Sequence, residues 1–99
     1  MNKLGIDLQE GFKNDSVVIK LGGRTVFRQE AVTTKLMLGY AHTMILQVPE
    51  GPAQLTISLP RRSIDERVHL DMTADVYLGV SLASGRLEVV PSDVPFSYA

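Results

Sequence analysis

Hydrophobic and polar residues alternate with a period of two along most of this chain. Every second residue is apolar in residues 53–59, and the same spacing returns in residues 67–72 and 76–82. A β-strand shows this pattern when one of its faces meets a core and the other meets water. No segment has the 3.6-residue period of an amphipathic helix. The pattern therefore predicts an all-β protein.

Glycine, proline and aspartate residues divide the chain into short segments, as turns between strands do. We predict one domain over residues 1–99, a compact antiparallel β-sandwich of the immunoglobulin-like or a similar kind, with about seven to nine short strands. Residues 1–12 are expected to form a weakly ordered lead-in or an edge strand, and residues 91–99 an extended C-terminal tail. The predicted strands cover residues 4–8, 16–21, 24–29, 35–38, 42–48, 53–59, 67–72, 76–82 and 86–90.

Opposite residues in a hairpin point to the same face, which tests two of these assignments. A two-residue turn at 84–85 places Leu82 opposite Leu87, so that apolar residues face each other. The loop before Val76 would place Met72 opposite it, although these two strands could also belong to different sheets. The predicted core residues are Val17, Ile19, Leu46, Leu55, Ile57, Leu59, Leu70, Leu78, Val80 and Leu87.

The hairpin around residues 22–23 has apolar residues on both of its faces. A two-residue glycine turn pairs Ile19 with Val26 on one face and Val18 with Phe27 on the other. An exposed phenylalanine beside a valine indicates a contact surface for a partner. The alternative is that a loop or the tail covers this pair, since single apolar residues are common on protein surfaces.

The last nine residues, PSDVPFSYA, combine two prolines with two aromatic residues and predict an extended, non-helical tail. Such a tail either folds back over its own domain or inserts into a neighbour. We favour folding back, over Val18 and Phe27, because two free aromatic side chains would expose a large apolar area. The candidate interaction surface therefore consists of Val18, Phe27, Phe96 and Tyr98.

The segment RRSIDERVHLD, residues 61–71, carries three arginines and a histidine. Arginine binds phosphates and carboxylates in a bidentate manner. The segment also alternates in charge sign, and edge strands carry such charges to prevent pairing between sheets. A solvated loop that leads into an edge strand is therefore the favoured interpretation. The alternative is a binding site for a small anionic ligand, formed by Arg61, Arg62, Arg67, His69 and Tyr77.

Composition narrows the possible partners. The formal net charge of −1 gives no strong field to attract nucleic acid or an anionic membrane. The chain has no cysteine, which excludes disulfides, thiolate metal sites and a cysteine nucleophile. No apolar run has the length of a signal-peptide core or of a transmembrane helix. We expect a cytoplasmic protein with no nucleic-acid partner, no membrane association, no metal and no cofactor.

Four short motifs follow one another along the chain: Gly22-Gly23, Gly39-Tyr40, VPEG at 48–51 and YLGV at 77–80. Their succession resembles the small bacterial sandwich modules of the PEGA or immunoglobulin-like kind. The resemblance implies a sandwich fold and brings no functional residues with it.

No catalytic motif such as a G-x-S-x-G elbow, a P-loop or a G-x-G-x-x-G turn occurs in the chain. The sequence therefore favours a non-catalytic protein-interaction module over an enzyme. We predict that it presents a sheet face or a sheet edge to a protein partner or to a second copy of itself.

Overall fold

The computed structural model describes residues 1–98 of the chain. These residues form eight β-strands joined mostly by short turns, with one turn of 3₁₀ helix between the fifth and sixth strands. The strands are β1 (Asn2–Leu8), β2 (Asp15–Leu21), β3 (Arg24–Val32), β4 (His42–Val48), β5 (Gly51–Leu59), β6 (Ile64–Met72), β7 (Val76–Ala83) and β8 (Arg86–Ser92), and the 3₁₀ helix covers Pro60–Arg62.

The strands make two four-stranded sheets that pack face to face. The first sheet has the strand order β4-β1-β7-β8, and the second has the order β3-β2-β5-β6. Neighbouring strands are antiparallel except for β1 and β7, which run parallel. The all-β sandwich predicted from the alternating pattern is therefore confirmed, and it includes one parallel pair.

The core lies between the sheets and is built from every second residue of the strands. In β5, Leu55, Ile57 and Leu59 are fully buried, while Thr56 and Ser58 between them are partly exposed. Burial of one such aliphatic side chain stabilises the fold by about 1.5–3 kcal/mol. The buried hydrophobic residues are Leu4, Ile6, Leu8, Phe12, Val17, Ile19, Val32, Val48, Leu55, Ile57, Leu59, Met72, Leu78, Val80, Leu82 and Leu87.

Most of the predicted core lies in this buried set. The exceptions are Leu46 and Leu70, which lie on edge strands and are only partly buried. The pairing of Leu82 with Leu87 in the β7–β8 hairpin is confirmed. The strands β6 and β7 belong to different sheets, and β6 pairs with β5 instead. The predicted alternative, in which these two strands belong to different sheets, is therefore the one that the structure has.

Strand β1 lies in the centre of the first sheet, between β4 and β7. The expectation that residues 1–12 form a weakly ordered lead-in or an edge strand is therefore wrong. Leu4, Ile6 and Leu8 point into the core and are fully buried. Their alternation is short and is interrupted by Gly5, a residue type that is uncommon inside strands, which weakens the sequence signal.

Residues 35–38 form part of a turn, and the prediction of a strand there is wrong. The carbonyl oxygen of Lys35 accepts the N–H of Gly39 at 2.8 Å, which closes the turn. The side chains of Leu36 and Met37 project into solvent and are 94% and 95% exposed. The apolar composition of this segment resembles that of a buried strand, but the chain reverses direction here.

A β-bulge between β2 and β3 changes which side chains share a face. Ile19 pairs with Phe27 and Lys20 pairs with Thr25, so that Val26 has no partner in β2. An extra residue of this kind moves the residues that follow it to the opposite face. Phe27 therefore points inward and packs against the core. The two-residue glycine turn is confirmed, but the predicted pairs beyond the bulge, Ile19 with Val26 and Val18 with Phe27, are wrong.

Candidate interaction surface at strand β4

The two sheets leave four strands with a free edge, namely β4 and β8 in the first sheet and β3 and β6 in the second. A free edge presents backbone N–H and C=O groups that no neighbouring strand pairs. Natural proteins protect such edges with charges, proline or bulges, because an unprotected edge readily pairs with another strand. The composition of each edge therefore indicates how readily it accepts a partner.

Three of the four edges carry such protection. Strand β3 contains the bulge and the exposed charge of Arg28. Strand β6 has exposed charges such as that of Asp65, and it also places Glu66 on its inner face. Strand β8 contains Glu88 and Pro91. A strand added to any of these edges would meet a charge, a missing backbone donor or an irregular backbone.

Strand β4, with the sequence HTMILQV, has none of these features. It contains no proline and no Asp, Glu, Lys or Arg, and it pairs with β1 without a register shift. On its outer face Thr43, Ile45 and Gln47 are exposed, and Ile45 is 63% exposed. On its inner face Met44 and Leu46 pack against the core but are only partly buried. A strand that paired with β4 would cover apolar side chains on both faces.

A hollow of about 440 Å³ lies on the outer face of the first sheet, directly beside β4. The exposed faces of β1 and β4 form its floor, and the C-terminal tail forms part of its wall. Ligand-binding clefts commonly have volumes of about 300–1,000 Å³ and apolar or aromatic walls. The lining residues are Lys3, Gly5, Asp7, Tyr40, Thr43, Met44, Ile45, Tyr77, Pro95, Phe96 and Tyr98.

Gly5 makes room for an aromatic ring at the centre of this face. A Cβ atom at this position would lie 2.5 Å from Cδ1 of Tyr77, a distance that carbon atoms do not reach without a clash. The two residues are neighbours in the parallel pairing of β1 with β7. The absence of a side chain in the middle of β1 therefore positions the Tyr77 ring against the sheet, beside the hollow.

The C-terminal tail folds back over the outer face of the first sheet. The hydroxyl of Tyr98 donates to Oδ2 of Asp7 at 2.7 Å and accepts from Nε2 of Gln9 at 3.0 Å. The Tyr98 ring packs on Tyr40, with 4.8 Å between ring centroids. The prediction that the tail folds back over its own domain is confirmed, but its place on the domain differs from the predicted one.

Val18 and Phe27 lie away from the tail and from each other. Val18 is partly buried on the outer face of the second sheet. Phe27 faces the core, and its ring centroid lies 5.0 Å from that of His42. Tyr98 of the tail contacts Asp7 of the first sheet, whereas Val18 and Phe27 both belong to the second sheet. Of the four predicted contact residues, Phe96 and Tyr98 share the hollow beside β4.

The docked position of Tyr98 predicts an unusual titration. Burial, followed by the hydrogen bond to Asp7, raises the pKa of the Tyr98 phenol from its ordinary value of 10.0 to about 12. Because the folded value exceeds the unfolded one, the docked tail contributes stability below pH 10 that is lost as the pH rises toward 12. We expect an absorbance titration to show a tyrosine that ionises near pH 12. Tyr98→Phe should remove this step and Asp7→Asn should lower its pKa, whereas a late step that persists in Tyr98→Phe would contradict the docked tail.

Arg61 and Arg62, in the 3₁₀ helix, make ion pairs with carboxylates of the second sheet. Nε of Arg62 donates to Oδ1 of Asp15 at 2.6 Å, and Nη2 of Arg61 lies 3.5 Å from Oε2 of Glu30. The backbone N–H of Lys13 also donates to Asp15, at 2.8 Å. Burial raises the pKa of Asp15, but the hydrogen bonds from Arg62 and Lys13 and the charges of both arginines outweigh it and hold this pKa below its ordinary value. Both arginines therefore already face carboxylates.

The other residues of the anion-site hypothesis lie elsewhere. Arg67 and His69 are exposed on the outer face of β6, opposite Thr56 and Gln54 of β5. Tyr77 belongs to the first sheet, on the opposite side of the sandwich. The structure therefore does not bring the five residues together. Strand β6 is an edge strand, in agreement with the favoured interpretation of this segment.

Comparisons with protein-family models, with curated proteins and with solved structures find no match for this chain. Within residues 1–98, no helix has both the length and the apolar character needed to cross a membrane.

The residue that sequence reasoning missed is Ile45. Its segment was predicted as a strand, but nothing singled out its exposed face. A usable signal was present, because residues 42–48 combine strand propensity with a complete lack of charge and proline. That signal identifies a binding edge only when the strand is known to lie at the side of a sheet.

Proposed function

We propose that this domain is a non-catalytic protein-interaction module that binds an extended protein segment by adding it as a strand to β4. The observation that carries the proposal is the contrast among the four edge strands of residues 1–98. Three of them contain charges together with a bulge, a proline or an inward-facing glutamate, and β4 contains none of these. A strand that is left free of such protection is suited to pairing.

In the expected mechanism, affinity and selectivity come from different contacts. Backbone hydrogen bonds along β4 would supply affinity without regard to sequence, and alternate side chains of the bound segment would supply selectivity. On the inner side, the segment would extend the core over Met44 and Leu46. On the outer side, its side chains would lie beside Ile45 and reach the hollow that Tyr40 and Tyr98 help to line. Segments with apolar or aromatic residues at every second position should therefore bind best.

Binding of a small anion has weaker support. Arg61 and Arg62 already face Glu30 and Asp15, so that little positive charge is left for a ligand. Tyr77, the aromatic residue of the predicted anion site, lies on the other side of the sandwich. We therefore place the binding function at β4 and not at the arginines.

A matched pair of lysine substitutions tests the site. Ile45 and Val90 both face outward from edge strands of the first sheet and are 63% and 56% exposed, so that either substitution should leave the fold intact. Peptides selected for binding from a random displayed library should lose roughly tenfold or more in affinity for Ile45→Lys, because the added charge lies where the bound strand packs. Val90→Lys should bind them as the wild type does.

The location of bound peptide is read by amide hydrogen exchange. Binding should slow the exchange of β4 amides, because backbone groups that faced water become paired. Selected peptides that protect β3, β6 or β8 instead, or that bind Ile45→Lys unchanged, would place the function elsewhere. A selection that yields no binding peptide, from a chain that also fails to self-associate, would remove the support for an interaction module.

A further inference from the structure

We infer that the segment β4 accepts is the β4 strand of a second copy of this chain, paired antiparallel about a two-fold axis that passes through Ile45. This inference rests on the proposed function and names its partner. The two first sheets would join into one continuous sheet of eight strands, with the two tails and hollows on its outer face.

The register of such a pair follows from symmetry. A two-fold axis perpendicular to the sheet keeps outer faces on the same side, so inner residues must stand opposite inner residues and outer ones opposite outer ones. Strand β4 has seven residues with Ile45 in the middle. Full overlap therefore places Ile45 opposite its own copy, Met44 opposite Leu46, and Thr43 opposite Gln47.

The chemistry of β4 suits this register. On the outer face, two Ile45 side chains meet at the axis, and the polar Thr43 and Gln47 side chains flank them. On the inner face, Met44 and Leu46, which are only partly buried in the single chain, cover each other. Apolar and polar pairs of these kinds directly opposite each other stabilise a sheet, and β4 brings no like charges together.

The same two-fold pairing of a strand with its own copy is unfavourable at the other three edges. In β3, which has nine residues, it places Arg28 opposite its own copy, and in β6 it places Asp65 opposite Asp71. Like charges in directly opposite positions destabilise strand pairing. In β8 it places Pro91, which has no N–H to donate, inside the new ladder. Of the edge strands in residues 1–98, β4 is thus the one that is compatible with itself.

Cysteine cross-linking tests both the pairing and its register, because the chain has no cysteine of its own. Two residues at position 45 would have Cβ atoms about 4.5–5.5 Å apart. Two residues at position 43 would be separated by four strand positions, or about 13 Å. We expect Ile45→Cys to form a dimer with a short thiol cross-linker and Thr43→Cys to form none. An equimolar mixture of Thr43→Cys and Gln47→Cys should cross-link again.

Solution mass tests the association without a cross-linker. An interface of one strand pair is small and belongs to the weak class, so a concentration series is required. The wild-type mass should rise from 10.9 kDa toward twice that value as concentration increases. Ile45→Lys and Ile45→Glu should each stay monomeric, and their mixture should associate, because position 45 then faces the opposite charge across the axis.

The possible outcomes separate this inference from the proposed function. A wild-type chain that remains monomeric, or a Thr43→Cys variant that cross-links as fast as Ile45→Cys, would overturn the two-fold pairing. Selected peptides that still protect β4 would then leave the interaction module standing with another protein as its partner. Cross-linking at position 45, together with rescue in the charge-swapped mixture, would establish the second copy.

Discussion

Replacing Gly11 by Ala is expected to destabilise the fold by about 4 kcal/mol or more, the range of the most severe single substitutions. Gly11 has a φ angle of +87°, in a region that residues with a side chain rarely adopt. A Cβ atom there would lie 1.8 Å from the carbonyl oxygen of Leu82. An overlap with backbone atoms is not relieved by a rotamer change or by a small shift. The backbone around Gly11 itself must therefore move.

Gly11 stands where the chain leaves the first sheet for the second. Just before it, the N–H of Gln9 donates to the carbonyl of Val80 at 2.7 Å, and the N–H of Leu82 donates to the carbonyl of Glu10 at 2.8 Å. These bonds prolong the parallel pairing of β1 with β7. Displacement of Gly11 would break this extension and loosen β1, which is the strand that holds β4 in the sheet.

Gly23→Ala is the matched control for this prediction. Gly23 has a φ angle of +82°, close to that of Gly11, but a Cβ atom there would meet no heavy atom within 4 Å. Its substitution should therefore cost only the backbone term, roughly 1–2 kcal/mol. Urea unfolding of both variants measures the difference. Equal losses in the two would show that the conformation of the glycine, and not the contact with Leu82, sets its importance.

The fold was predictable from the sequence to the extent that its signals are local. Alternation is a property of single strands, and the β7–β8 turn involves two adjacent residues, so both were read correctly. The bulge at Val26 was not, because one unpaired residue leaves the composition unchanged while it reverses the direction of Phe27. Residues 35–38 failed for a related reason, since an apolar turn has the composition of a strand.

The candidate site depended on contacts between distant parts of the chain. Strand β4 lies at the edge because β1 occupies the centre of the sheet between β4 and β7. The pairing of β1 with β4 brings Asn2 opposite Val48. The tail was expected to fold back, but its place was fixed by Tyr98 and Asp7, which are 91 positions apart. Pairing at such separations leaves no periodic trace in the sequence. The sequence shows that β4 carries no charge, but it does not show that β4 lies at a free sheet edge.

Replacing Asp15 by Ala is expected to destabilise the fold by about 2–3 kcal/mol, because it leaves the groups that bind a buried carboxylate without an acceptor. Asp15 is 4% exposed, and its oxygens accept from the guanidinium of Arg62 and from the backbone N–H of Lys13. Arg61→Ala is the control, since that side chain and the Glu30 carboxylate with which it pairs are both more than half exposed. Exposed pairs contribute at most about 1 kcal/mol. Urea unfolding at pH 7 measures both losses, and similar losses would contradict the structural role of Asp15.

Arg62→Met tests whether Arg62 stabilises the fold or is free to bind an anionic ligand. In the wild type the pKa of Asp15 lies below its ordinary value of 3.8, so its contribution to stability is present above that pH and is lost as the pH falls through the lower folded value. Removal of Arg62 takes away the largest cause that lowers this pKa, so the pKa should rise and the variant should be destabilised most at neutral pH. The difference in stability from the wild type should narrow at acidic pH, where the carboxylate takes up a proton in both proteins. Arg61→Met should change little at either pH. An Arg62→Met variant as stable as the wild type at pH 7 would mean that the arginine is free to bind an anion.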